Sequence, residues 1–138
     1  SFDFVICSEI LEHVADESAF LHRVASQLRV GGMLYLSSPS RDVATYQWGW
    51  LDKFDKEVGH LRRYSENELR NLIESHGFVV EHIRSVESPL RNALYTTKLG
   101  FLVRYIRGPL VPLFHLFDAF VGKLFGFCDI QVVARKQK

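Results

Sequence analysis

Phe2-Asp3-Phe4-Val5-Ile6-Cys7-Ser8-Glu9-Ile10-Leu11-Glu12-His13-Val14 opens a stretch that continues as a helical pattern to Leu28 and closes with Gly31-Gly32-Met33-Leu34-Tyr35-Leu36-Ser37-Ser38-Pro39. Phe4 to Cys7 is too short and too apolar for a helix, and β-branched Val5 and Ile6 favour a strand covered on both faces. Asp16-Glu17-Ser18 places acids in a first helical turn, where the helix dipole favours them. Phe20, Leu21, Val24, Ala25 and Leu28 then recur at helical spacing until Gly31-Gly32 ends the run. Met33 to Leu36 makes a second buried strand, closed by Ser37-Ser38-Pro39. The order is a βαβ crossover with polar residues gathered where the first strand ends, and parallel sheets bind ligands at that end.

Beyond it, Arg41 to Gly59 has no clean period and mixes Tyr46, Trp48, Trp50 and Phe54 with charges. A segment of that length without regular structure reads as a functional loop or lid, here overhanging the site. Ser65-Glu66-Asn67-Glu68 reads as a capping box with Ser65 as N-cap, Leu69, Leu72 and Ile73 form an apolar stripe, and Gly77 stops the helix. Phe78 to Ile83 alternates loosely as a third strand. From Pro89 to Phe127 the composition turns apolar, with Lys98, Arg104, Arg107 and Lys123 against the single acid Asp118. Pro109, Pro112 and these charges exclude a spanning helix of about twenty apolar residues. Leu113, Leu116, Phe117, Phe120, Val121, Leu124 and Phe125 still make a broad helical stripe. Cys128 to Ala134 is a last strand, followed by a solvated tail, Arg135-Lys136-Gln137-Lys138.

The 138 residues suit one domain. No secretory signal pattern is present, and because the chain opens directly on an apolar strand we read Ser1 as a cut through a larger protein. A formal net charge of +1 argues against a nucleic-acid partner, which needs a concentrated basic surface. Two cysteines, Cys7 and Cys128, in apolar contexts favour a reduced, cytoplasmic setting.

Glu9, Glu12 and His13 are spaced i, i+3, i+4, so one helical turn would point all three the same way. Two carboxylates and an imidazole are adequate ligands for a divalent cation, Mg²⁺ or Zn²⁺, and His60 is a candidate fourth. Without metal, His13 or His60 remains a general-base candidate, since imidazole is the side-chain type that exchanges protons near neutrality. The plainer alternative makes His13 a hydrogen-bonded residue at a helix start and Glu9 a dipole partner. Tyr46, Trp48 and Trp50 are candidates to stack on an acceptor, or else anchor their loop to the core. The apolar segment 99–127 packs on the sheet as a lid, rests on a membrane surface with its basic residues toward head groups, or forms a dimer face through Gly122-x-x-x-Gly126.

Phe2-Asp3-x-Val5, Glu9-x-x-Glu12-His13-Val14, Leu28-x-x-Gly31-Gly32-x-Leu34, Ser37-x-Pro39 and the later His60-Leu61-Arg62-Arg63-Tyr64-Ser65 through Gly77-Phe78 together resemble class I S-adenosylmethionine-dependent methyltransferases. The pattern runs from the family's fourth strand onward, and the ubiquinone-biosynthesis O-methyltransferases and general small-molecule members are nearest. The resemblance implies an α/β Rossmann-like half-domain over 1–138, with parallel strands, a last strand antiparallel beside the third, and an apolar helical insertion at 89–127. It implies S-adenosylmethionine as methyl donor, lined by Cys7, Ser8 and Glu9, with Glu9, Glu12, His13 and His60 around a metal as in some relatives. The acceptor would be a small or lipid-linked molecule methylated on oxygen. The family's glycine-rich donor turn has no counterpart, since the chain contains no Gly-x-Gly, and the missing amino-terminal half of the domain is an implied partner. The competing class is a non-catalytic module that docks on a membrane or partner. A nucleotide-binding oxidoreductase would leave Glu9-x-x-Glu12-His13 without a role.

Overall fold

The computed structural model describes residues 1–96, 98, 101, 105, 106, 108 and 110–137. Four strands, β1 (Phe2–Ser8), β2 (Leu28–Pro39), β3 (Phe78–Val86) and β4 (Asp129–Lys136), form one sheet in the order β1-β2-β4-β3. Helix α1 (Glu17–Gln27) makes the crossover between the parallel pair β1 and β2, and β4 is antiparallel to both β2 and β3. Three strands therefore point one way and the last slots between the second and third in the opposite sense. Helices α2 (Ala44–Gln47), α3 (Asp52–Val58) and α4 (Glu66–Glu74) lie between β2 and β3, and α5 (Pro89–Thr96) and α6 (Leu110–Phe125) between β3 and β4.

Alternation along the strands explains where the core sits. Cys7, Leu34, Leu36, Ile130, Val132 and Ala134 point to one face and pack with Leu21 and Val24 of α1 and Leu69 and Ile73 of α4. Both helices cover that same face. No described element covers the other face of β1, so Phe2, Phe4 and Ile6 are exposed there, where the sequence reading expected cover on both faces.

Local signals set the helix starts. Asp16 caps α1 by accepting from Ala19 N at 2.9 Å. The expected capping box of α4 is present, with Ser65 Oγ accepting from Glu68 N and Glu68 accepting from Ser65 N.

Three expectations change. Gly31-Gly32 does not stop the helix: α1 ends at Gln27, β2 begins at Leu28, and Gly31, with φ +79°, lies where the register jumps from Phe2↔Leu28 to Phe4↔Met33. The glycines serve a bulge inside the strand. Arg41 to Gly59 is no structureless loop but carries α2 and α3. The expected solvated tail is partly strand, and Lys136 Nζ donates to the carbonyls of Ala25 and Leu28 at 2.6 and 2.8 Å, closing the end of α1. Lys138 lies outside the described residues.

Candidate functional site at the ends of β1 and β2

The sheet delivers polar side chains to the carboxyl ends of β1 and β2. Ser8 Oγ stands 3.0 Å from Ser37 Oγ, and Ser37 Oγ donates to Glu9 Oε1 at 2.6 Å. Because Ser37 spends its proton on Glu9, Ser8 is the donor to Ser37. Glu9 itself adopts φ +52°, a left-handed conformation rare for a residue with a side chain, and its N–H donates to Ser37 O.

The expected common face of Glu9, Glu12 and His13 does not form, because the helical turn is a 3₁₀ turn that begins only at Leu11. Glu12 is instead fully buried and accepts from Ser38 Oγ at 3.1 Å through Oε2. Its Oε1 has no hydrogen-bond partner among the described residues and faces His13 Nε2 at 3.9 Å. His13 Nδ1 lies 3.0 Å from Gly59 O, a carbonyl that can only accept, so Nδ1 carries the proton.

His60 joins from the far side. Gly59, at φ +81°, ends α3 in the left-handed region that favours glycine. That turn folds His60 back so that Nδ1 meets Asp55 Oδ1 at 2.9 Å. The rings of His13 and His60 meet edge to face at 4.9 Å between centroids. Glu12, His13 and His60 thus bring one ligand atom each within 4.8 Å of one another, and Glu9 lies outside that trio.

Beside the trio opens a cleft of about 290 Å³ lined by Glu9, Leu51, Phe54, His60, Arg63 and Asp129 among others. Burial pushes the Glu9 carboxyl above its ordinary value, a rise that the Ser37 hydrogen bond opposes. Asp129, opposite Pro39 across the β2–β4 ladder, is pushed up to about 7 by burial and then by the charges of Glu9, Glu87 and Glu12. Burial would raise Asp55 too, but the hydrogen bonds and charge of Arg63, then those of His60, hold it below its usual range. Arg63, only 5% exposed, donates twice to Asp55 and lies 5.2 Å over the Tyr46 ring.

Other candidate residues fall elsewhere. Cys7 is buried in the core below the strand end, and burial raises its thiol pKa; Cys128 is free as well, buried at the cleft and pushed up to about 12. Tyr46 lies outside this cleft but lines a neighbouring cavity of about 190 Å³ with Asp55, His60 and Arg63, whereas the tryptophans face outward against each other, with Trp48 also against Phe125. The sequence reading missed Asp55 and Asp129. A glycine directly before His60 was the available signal for Asp55, since a helix ended there turns the imidazole onto its own last turn.

A family model for the methyltransferase domain matches residues 1–83. The chain belongs to that family. Among curated proteins, this methyltransferase chain is similar to the ubiquinone biosynthesis O-methyltransferase of Parvibaculum lavamentivorans, 37% identical over 62 residues, 38% of this chain and 24% of that protein. The enzyme of the same name from Nitrobacter winogradskyi is 33% identical over 93 residues, 56% of this chain and 36% of that protein. The chain therefore spans about a quarter to a third of the length of these relatives. Phosphoethanolamine N-methyltransferase 2 of Haemonchus contortus shares the fold with TM-score 0.61 at 14% identity, over 100% of this methyltransferase chain and 34% of its own.

Proposed function

We propose that this chain is part of an enzyme that transfers the methyl group of S-adenosylmethionine to an oxygen of a small-molecule or lipid-like acceptor. The observation that carries the reading is the convergence of Glu12, His13 and His60 beside a cleft at the end of β1. The relatives named for O-methylation in ubiquinone biosynthesis support the oxygen and the lipid-like acceptor, and the Haemonchus enzyme was solved with S-adenosyl-L-methionine.

Ser8 and Glu9, fixed by Ser37 at the strand end, line the donor. In transfer the acceptor oxygen bonds to the methyl carbon as the sulfur–carbon bond breaks, and the acceptor's proton has to leave. Without a metal, His13 or His60 takes that proton through Nε2, since each holds its Nδ1 on a protein acceptor. Leu51 and Phe54 narrow the water access to the cleft.

A divalent cation fits the trio. A His13 Nε2 lone pair and a bare Glu12 oxygen facing each other need a positive charge between them, and Gly59 and Asp55 orient the two imidazoles as carbonyls and carboxylates do for metal-bound histidines. Glu12 Oε1, His13 Nε2 and His60 Nε2 would hold it, and two nitrogens with one carboxylate suit Zn²⁺ better than Mg²⁺. Bound there, the ion would favour the ionised form of the acceptor oxygen.

The test is methyl transfer by the protein carrying this chain, with Glu12→Ala and His60→Ala, each with and without chelator. Loss of activity in both variants supports the site. Full activity in His60→Ala overturns it, and chelator-insensitive activity removes the metal while keeping the base. A second reading, a docking module without catalysis, is favoured by the outward apolar face of α6. S-adenosylmethionine binding at the β1 end, measured by calorimetry and lost in Glu9→Ala, would retire it.

A further inference from the structure

Helix α6 is built inside out. Its 16 residues turn Asp118 and Gly122 into the protein, while Leu113, Leu116, Phe117, Phe120 and Leu124 are 54% to 70% exposed. The inward acid fixes this orientation. Asp118 Oδ1 accepts from Ser88 Oγ at 2.6 Å and Oδ2 pairs with Arg91 at 3.1 Å, while Arg91 also meets His115 at 2.8 Å. Rolling the helix to bury its apolar stripe would strip Asp118 of both partners, which a nearly buried carboxylate cannot tolerate cheaply. The glycines that suggested a dimer face are spent inside the chain: a Cβ on Gly122 would strike the Phe127 ring, and one on Gly126 the backbone of Asp42 and Val43.

The apolar face continues past the helix. Phe125 touches Trp48 at 6.3 Å between ring centroids, Trp48 touches Trp50 at 5.0 Å, and the next residue, Leu51, lines the cleft. Within the sequence of the segment 89–127 charge is one-sided, whereas exposed Asp52 stands beside Gly49 at the tryptophans. Lys123 is exposed on the flank of the face, Lys98 is exposed, and Arg104 and Arg107 stand in the same segment of sequence, where Asp118 is the only acid and is neutralised internally. Positions 99, 100, 102–104, 107 and 109 of the segment lie outside the described residues. No helix among the described residues is long and apolar enough to cross a membrane.

We propose that the outer face of α6, extended by Trp48 and Trp50, docks on the surface of an anionic lipid bilayer and holds the cleft mouth against it. Three features favour that occupant over a second copy of the chain: the cations with no outward acid in the segment, the tryptophans at the rim, and the inward use of both glycines. The segment lies beyond residues 1–83, where the family model matches. Docking does not depend on methyl transfer.

The test mixes the 138-residue chain with vesicles of phosphatidylcholine, with and without phosphatidylglycerol, and follows co-sedimentation and tryptophan emission. Trp48 and Trp50 are the two tryptophans present, so emission reports on them alone. The expected result is binding that strengthens with phosphatidylglycerol, weakens with salt and shifts emission to the blue. The pair Leu116→Glu and Phe120→Glu should lower partitioning about tenfold or more with unchanged circular dichroism, since each places a charge where apolar surface enters lipid. Equal partitioning by that variant overturns the proposal. So does failure to bind either vesicle, whether the chain stays monomeric or forms a dimer that the variant dissociates in sedimentation velocity. Binding without a blue shift overturns the place given to the tryptophans.

Discussion

Glu12 Oε1 lies 3.9 Å from His13 Nε2 and makes no hydrogen bond among the described residues, although the Glu12 side chain is fully buried. A buried carboxylate oxygen without a hydrogen bond costs about 1–3 kcal/mol, more when charged. A bound cation removes that cost. Titrating the chain with Zn²⁺ by calorimetry should show one site per chain, weakened at least about tenfold in Glu12→Gln and in His60→Ala. Glu9→Gln should weaken binding less than either, because Glu9 is outside the trio although its charge acts on Glu12 and His60. Equal weakening by Glu9→Gln would restore the four-residue set expected from sequence.

Asp55 Oδ1 holds His60 Nδ1 at 2.9 Å. Asp55→Asn should lower Zn²⁺ affinity by roughly 10–100-fold, as loss of an orienting carboxylate does. The same variant should leave S-adenosylmethionine affinity unchanged in a parallel calorimetric titration. Arg63 loses its partner too, so a melting curve run alongside separates lost orientation from lost fold.

Asp129 makes stability depend on pH. Its folded pKa, about 7, lies above the ordinary carboxyl value of 3.8, so the folded chain holds the proton that the unfolded chain releases. The native state is therefore favoured below pH about 4 by this group, and stability falls as pH rises from there to about 7. Asp129→Asn should raise stability at pH 8 by roughly 1–3 kcal/mol and flatten that slope in urea melts at several pH values. An unchanged slope would mean that the carboxyl is better solvated than its place in the cleft suggests.

Asp118 holds α6 in its orientation. Asp118→Ala should cost about 3 kcal/mol in thermal or urea unfolding, because Arg91 and Ser88 lose a shared buried acceptor. Ser88→Ala removes one neutral donor to that charge and should cost about 1–2 kcal/mol.

How much of this could be read from the chain depended on how local each cause is. The Ser65–Glu68 box was legible because both partners sit within one turn. So was the crossover from Phe2 to Pro39, carried by spacing alone. The stripe of α6 was legible but its direction was not, since Asp118 is turned inward by Ser88 and Arg91, which lie in another element. The convergence of His13 with His60 could be proposed from residue types. The exclusion of Glu9 could not, because it follows from a turn that starts at Leu11 and a left-handed φ at Glu9.

Gly59 and Leu61 bracket His60, and each is tied to the β1 end: the Gly59 carbonyl to His13 Nδ1, the Leu61 amide to the Glu12 carbonyl. The cover over the cleft and the pocket chemistry are thereby one mechanical unit. Lifting α3 would withdraw one imidazole and release the other in the same stroke, so under the proposed chemistry a chain opened there would be silent.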